Sequence, residues 1–193
     1  MGRISALNDE AKGGHEDSFK VSRKRWGSVP NFYRTLAHSP KALHHIMELS
    51  YELRKRWRED PERLRLMQLA IVKPSMMNQC LIWTTHNQEL GQAAGLEEKH
   101  FNELVGNWSD SELYDDREKA VIGWAESLTE NTARDDDNAF SELKKHFNEQ
   151  DIVELTLFTC LFNAWNRLQD GFQNDLEPPE GRIEWTPDWQ ESS

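Results

Sequence analysis

The residues best suited to chemistry lie between Ser75 and Leu96. There Ser-Met-Met-Asn-Gln-Cys-Leu-Ile-Trp-Thr-Thr-His leads into a polar helical stretch that ends Ala-Ala-Gly-Leu. Cys80, Trp83 and His86 succeed one another at intervals of three, a spacing that stacks side chains turn upon turn along a helix. A cysteine thiolate attacks peroxides, and a histidine carries protons near neutral pH. His86 and Cys80 are therefore the candidate catalytic residues, and Trp83 reads as a pocket wall. Against this, a cysteine among apolar neighbours is most often a small core residue, and a lone histidine is most often structural. Gln68 and Gln79 are candidates to supply neutral hydrogen bonds near His86. Asn163, Asn166 and Arg167 interrupt the most apolar segment, and buried polar side chains need partners. Asn163 is the candidate pocket residue of the three. Arg167 is assigned a structural role, paired with a carboxylate such as Asp170 or Glu154.

Other chemistries find no pattern. His44 and His45 are adjacent, so on a helix they point about 100° apart and form no metal pair. His100 and His146 read as surface residues. No His/Cys/carboxylate set has ligand spacing, and no metal is expected. The run Asp135-Asp136-Asp137 reads as a solvated loop with a helix cap. There is neither a Gly-rich phosphate loop nor a Gly-x-Ser-x-Gly turn.

The elements that must position these residues are helices, because apolar residues recur at three and four and period-two alternation is scarce. Residues 1–38 are mixed, with an ordered-looking stretch from Trp26 to Tyr33. Ser39-Pro40 and Asp60-Pro61 each read as a cap with proline at the first helical position. They open helices over about 40–57, with Leu43, Ile46, Met47, Leu53 and Trp57 inward, and over 61 to about 73. Lys73-Pro74 is expected to break the second of these. A further helix is expected from about Ser75 to Ala94, stopped by Gly95. Short helices are predicted from Leu96 to Val105 and around Phe140, Leu143 and Phe147. Another, capped by Asp115 or Asp116, has Ala120, Val121, Trp124, Ala125 and Leu128 inward. The longest runs from Asp151 to Phe172 and is apolar nearly all round from Ile152 to Trp165, so it must be buried by the fold or by a neighbouring subunit.

Composition narrows the function. The 193 residues carry 23 Lys and Arg against 34 Asp and Glu, a formal net charge of −11. A nucleic-acid backbone or an anionic membrane would repel such a chain. The longest strongly apolar run, Leu155 to Trp165, is far short of the roughly 20 residues a spanning helix needs. The N-terminus lacks an apolar signal core, which points to the cytoplasm. Two cysteines, Cys80 and Cys160, fit a reducing compartment better than a disulfide scaffold. Both stand among apolar neighbours.

Three stretches carry a resemblance: Val29-Pro-Asn-Phe-Tyr-Arg-Thr-Leu-Ala-His-Ser-Pro40, Trp83-Thr-Thr-His86 with Gly95-Leu96 nine residues on, and Phe162-Asn-Ala-Trp-Asn-Arg-Leu168. Their order and spacing, over most of residues 25–177, resemble the carboxymuconolactone decarboxylase and alkylhydroperoxidase-D-like family. The resemblance implies an all-α helical bundle, a single domain assembled as a homo-oligomer (dimer, trimer or hexamer), with sites at the ends of paired central helices. It also implies that no cofactor is used. The peroxidase branch of that family carries Glu-x11-Cys-x-x-Cys-x3-His, and the decarboxylase-like branch often reads Tyr-Glu-Trp-x-x-His. Anchored on His86, this chain places Met67 at the glutamate, Gln79 at the first cysteine and Ile82 at the second. Leu81 and Ile82 replace the Tyr and Glu of the other pattern. Only the tryptophan and histidine are kept.

Residues 1–25 are accordingly read as an N-terminal extension, 26–177 as the helical domain, and 178–193 as a tail whose Trp185 and Trp189 pack on something. The leading expectation is a cofactor-independent enzyme acting on a small organic acid or lactone, with His86 moving the proton and Trp83, Cys80 and Asn163 shaping the pocket. The alternatives are a thiol peroxidase using Cys80 and a non-catalytic oligomeric small-molecule-binding protein.

Overall fold

The computed structural model describes residues 2–179 and 182; the tail tryptophans Trp185 and Trp189 lie outside the described residues. Nine helices occur among these residues, and no strand. They are α1 (Glu16–Trp26), α2 (Asn31–Leu36), α3 (Pro40–Trp57), α4 (Pro61–Met77), α5 (Leu81–Ala93), α6 (Glu98–Leu104), α7 (Asp116–Glu130), α8 (Asp137–His146) and α9 (Glu149–Phe172). The chain divides into two compact units, one made of residues up to Arg56 together with those from Arg167 onward, the other of Trp57–Asn166.

In the first unit, α1 and α2 order a region that the sequence pattern left mixed. Phe19, Trp26, Phe32, Tyr33, Leu43 and Met47 form its buried core. Gly27 ends α1 in the left-handed conformation, its N–H bonded to Arg23 O at 2.9 Å. The segment after α9 is tied in by side chains. The Thr35 hydroxyl donates to Asn174 Oδ1 at 2.7 Å, and Asn31 Nδ2 donates to Asp175 O at 3.0 Å.

The second unit carries the candidate site. Its helix starts are those the sequence marks. Asp60 accepts from Arg63 N at 2.8 Å ahead of Pro61. Asp115 and Glu118 form a reciprocal capping box, at 2.8 and 3.0 Å. Asp136, the middle of the acidic run, accepts from Ala139 N at 3.0 Å.

Helix α4 overturns one expectation. Pro74 does not break it; the helix continues to Met77 and ends at the turn 78–80. Proline has no N–H to give the carbonyl four residues back. That carbonyl belongs to Ala70, and the Thr159 hydroxyl of α9 donates to it at 3.1 Å. The same hydroxyl lies 3.2 Å from Leu155 O of its own helix, so its one proton is shared between the two carbonyls and α9 offers Ala70 a partial substitute for the missing N–H.

Beside Pro74, Lys73 is wholly buried. Its ammonium donates to Glu126 Oε1 at 2.7 Å and to Leu104 O at 2.8 Å. Trp108 Nε1 donates to the other Glu126 oxygen at 2.9 Å, and its ring centre lies 5.5 Å from the ammonium. Burial pushes the Lys73 pKa down, while Glu126 pulls it back up. Gly123 makes room for this arrangement, since a Cβ there would stand 3.0 Å from the Trp108 ring.

Two further expectations change. His100 is buried rather than on the surface, because its Nδ1 accepts the Glu97 N–H at 2.9 Å and closes the start of α6. Cys160 is exposed on α9 rather than in the core.

Both the mended helix and the buried histidine can be tested. Thr159→Val strands the Ala70 carbonyl and should cost about 1–3 kcal/mol in denaturant unfolding. In a Pro74→Ala background, where residue 74 regains its N–H, the same change should cost much less; equal costs would refute the replacement of one bond by the other. His100 has its pKa lowered, chiefly by burial and then by Arg65. The unfolded state then binds more protons between the folded pKa and the ordinary value of 6.5, so stability should fall as pH drops through that window. Unfolding midpoints of wild type and His100→Gln between neutral and acid pH should diverge accordingly.

Candidate functional site

The site is built on the turn between α4 and α5. Met77 ends α4, Asn78 comes next, and Gln79 adopts a left-handed φ of 55°. Gln79 N donates to Met76 O at 2.9 Å, and Cys80 N donates to Ser75 O at 2.9 Å. These are the two paired bonds of a Schellman stop, a motif that normally recruits glycine at the left-handed position. Glutamine in that place hides the stop from a reading of the sequence. The helix expected from Ser75 therefore starts instead at Leu81.

The turn sets the start of α5. Cys80 becomes its N-cap and is 2% exposed. The first turn of a helix presents backbone N–H groups and the positive end of its dipole, which favour a negative charge. Trp83 and His86 project from α5, both buried, their ring centres 6.2 Å apart. Trp83 meets Phe162 edge-on at 5.5 Å and Trp165 at 5.7 Å, so α9 supplies the other half of an aromatic cluster. Asn87 Nδ2 donates to Trp83 O at 2.8 Å, one turn back.

A polar chain holds the turn from behind. Asn78 Nδ2 donates to Asn163 Oδ1 at 2.8 Å. Asn163 Nδ2 in turn donates to Thr129 Oγ1 at 3.0 Å and to Thr159 O at 3.1 Å. Thr129 Oγ1 donates to Ala125 O at 2.7 Å. The end of α4 is thus joined to α7 and α9 just ahead of Cys80.

The sequence-chosen residues fall into distinct places. Cys80, Trp83 and His86 share one helix start, and Asn163 reaches them through Asn78. Gln79 is exposed and contributes its backbone to the turn. Gln68 is wholly buried on α4, and neither atom of its carboxamide has a hydrogen-bond partner among the described residues. Asn78 and Thr129 do not stand out in the sequence. The available signal was an asparagine at a helix end facing a buried asparagine. Neither cysteine forms a disulfide. Among the described residues no three His, Cys, Asp or Glu side chains are grouped to hold a metal, and no helix is long and apolar enough to cross a membrane.

Known structures share this fold. The AhpD core protein from Ralstonia eutropha JMP134, an uncharacterized peroxidase-related protein, superposes with a TM-score of 0.77 at 17% identity, covering 97% of this chain and 98% of its own. A protein of unknown function from Agrobacterium tumefaciens, with a suggested AhpD antioxidant-defence role, is 26% identical at a TM-score of 0.65 over 74% of this chain and 95% of its own. The debrominase Bmp8 matches at a TM-score of 0.73 and 16% identity, over 92% and 94% of the two chains. By sequence, the uncharacterized protein YdfG of Bacillus subtilis is 22% identical over 130 residues, 66% of this chain and 87% of its own. No family profile matches the chain. The fold is the AhpD-like helical fold, and the resemblance read from the sequence stands in those structures.

The strained Gln79 offers a test of the turn. Gln79→Gly should raise stability by about 1 kcal/mol, since glycine bears the left-handed conformation without Cβ strain. A fall in unfolding midpoint would show that the side chain contributes more than its backbone.

Proposed function

We propose that this chain is a cofactor-independent, AhpD-like thiol enzyme that reduces a small organic hydroperoxide, with Cys80 as nucleophile and His86 as proton carrier. The observation that carries the reading is Cys80 at the N-terminus of α5, three and six residues ahead of Trp83 and His86. The fold neighbours add support at the family level: the Ralstonia eutropha protein is an uncharacterized peroxidase-related protein, and the debrominase Bmp8 was also crystallised as a cysteine-to-alanine variant with 2,3,4-tribromopyrrole. The cluster of Trp83, Phe162 and Trp165 suits an apolar or planar organic group.

In the first step the Cys80 thiolate attacks the terminal oxygen of R–O–O–H. The O–O bond breaks, a sulfenic acid forms on Cys80, and the departing alkoxide takes a proton from His86. Gln79 and Ile82 occupy the family's two cysteine positions, so the neighbouring resolving thiol is lacking there. A low-molecular-weight thiol such as glutathione then attacks the sulfenic sulfur and releases water. A second thiol cleaves the mixed disulfide and restores Cys80.

A second reading keeps the same residues. His86, buried beside Trp83, would exchange a proton with a small organic acid or lactone in a decarboxylase-like reaction, Cys80, Gln68 and Asn163 shaping the site. For either reaction we place the chain in the cytoplasm, with a small-molecule substrate and no nucleic-acid or membrane partner. We also propose self-association, supported by the outward stripe of Val153 and Leu157 on α9.

The deciding experiment is intact-mass analysis after low-micromolar cumene hydroperoxide, with and without thiol. Cys160→Ser should gain one oxygen, reversed by thiol; the double variant Cys80→Ser, Cys160→Ser should gain none. His86→Ala should slow the reaction roughly 100-fold. A Cys80 that stays unmodified under excess hydroperoxide would refute the thiol reading and favour proton-transfer chemistry.

A further inference from the structure

Asn166 occupies an unusual place on α9. It is wholly buried, and neither Nδ2 nor Oδ1 has a hydrogen-bond partner among the described residues. Burying a carboxamide without partners costs about 1–3 kcal/mol or more. Thr159, Asn163 and Gln169, the other buried polar side chains in this part of α9, all make hydrogen bonds, and leucine would fill similar space without the cost.

Its direction comes from helix geometry. Successive residues turn by about 100°, so with Phe162 at zero, Trp165 lies near −60°, Asn163 near +100° and Asn166 near +40°. Phe162 and Trp165 face Trp83, and Asn163 faces Asn78. Asn166 therefore lies between those two directions, one turn further along α9. Projected from the helix axis, that direction leads toward the segment 78–83, which contains Cys80.

We propose that Asn166 is the residue that binds and orients the hydroperoxide for attack by Cys80. A carboxamide sets a donor beside an acceptor, and a hydroperoxide R–O–O–H offers one O–H and, next to it, the peroxidic oxygen bound to R. Asn166 Oδ1 accepts the hydroperoxide O–H, and Nδ2–H donates to the oxygen bound to R. That oxygen becomes the alkoxide when the O–O bond breaks, so the donor bond strengthens as charge develops. The R group rests against Trp83, Phe162 and Trp165. This assignment rests on the thiol reading above and names its recognition element.

The test compares wild type with Asn166→Leu and Asn166→Ala in the full chain, all three carrying Cys160→Ser. The rate of Cys80 sulfenic acid formation is measured by rapid-quench mass spectrometry over a range of cumene hydroperoxide concentrations. Cys80 alkylation by iodoacetamide and the thermal midpoint are measured on the same proteins. Asn166→Leu should lower the second-order rate 10- to 100-fold, leave alkylation unchanged, and hold or raise the midpoint, because an unpartnered buried amide has gone. Asn166→Ala should show the same rate loss, which separates loss of the amide from any misfit of leucine. Peroxide rates equal to wild type in both variants, with wild type reactive, would overturn the role of Asn166 and leave the thiol reading standing. A slower rate accompanied by equally slower alkylation would also overturn it, as a packing effect. An inert wild-type Cys80 would overturn both together.

Discussion

The candidate site is organised by the junction between α4 and α5, which α9 supports with hydrogen bonds at Ala70 and at Asn78. Pro74 leaves the Ala70 carbonyl without its intrahelical donor, and the Thr159 hydroxyl of α9 partly fills that role at 3.1 Å. With that support beside it, α4 continues through Pro74 to Met77. The Schellman stop consequently falls at residues 78–80, and Cys80 is delivered to the N-cap of α5. Had α4 stopped at Lys73, the same residues would fall in the interior of a helix beginning near Ser75. Cys80 would then be a mid-helix side chain instead of one beside the first N–H groups of a helix.

Asn163 works on the same junction from the same helix. It lies one turn beyond Thr159 on α9, accepting from Asn78 and donating to Thr129. Helix α9 thus supports α4 at Ala70, holds the outgoing turn at Asn78, and packs Phe162 and Trp165 against Trp83. Polar residues that interrupt an apolar helix have clear uses here: Thr159 mends a helix, and Asn163 braces a turn.

Much of this was legible in the sequence where local chemistry is self-contained. The caps at Asp60, Asp115 and Asp136 each bond the backbone N–H three residues on, and serine-proline or aspartate-proline pairs mark the starts of α3 and α4. Tertiary partners set what was not. Pro74 reads as a breaker until Thr159 is placed beside it, and Gln79 conceals a stop that glycine would have announced. His100 looks like a surface residue because its role is to accept a backbone N–H, which any exposed stretch could surround with water instead. For the site, Cys80, Trp83 and His86 were visible as a spacing. Asn78 and Thr129 entered only through the bonds they make with Asn163.

The buried Lys73 can report on motion within the second unit. Its ammonium is enclosed by Glu126, the Leu104 carbonyl and the Trp108 indole, with no surface left to solvent. An amine-directed reagent reaches it only when α4, α7 and the segment after α6 separate. Labelling at Lys73 therefore counts opening events of that interior, while the exposed lysines of α8, Lys144 and Lys145, react from the closed state. A single peptide thus serves as an internal clock for how often the scaffold around the candidate site comes apart.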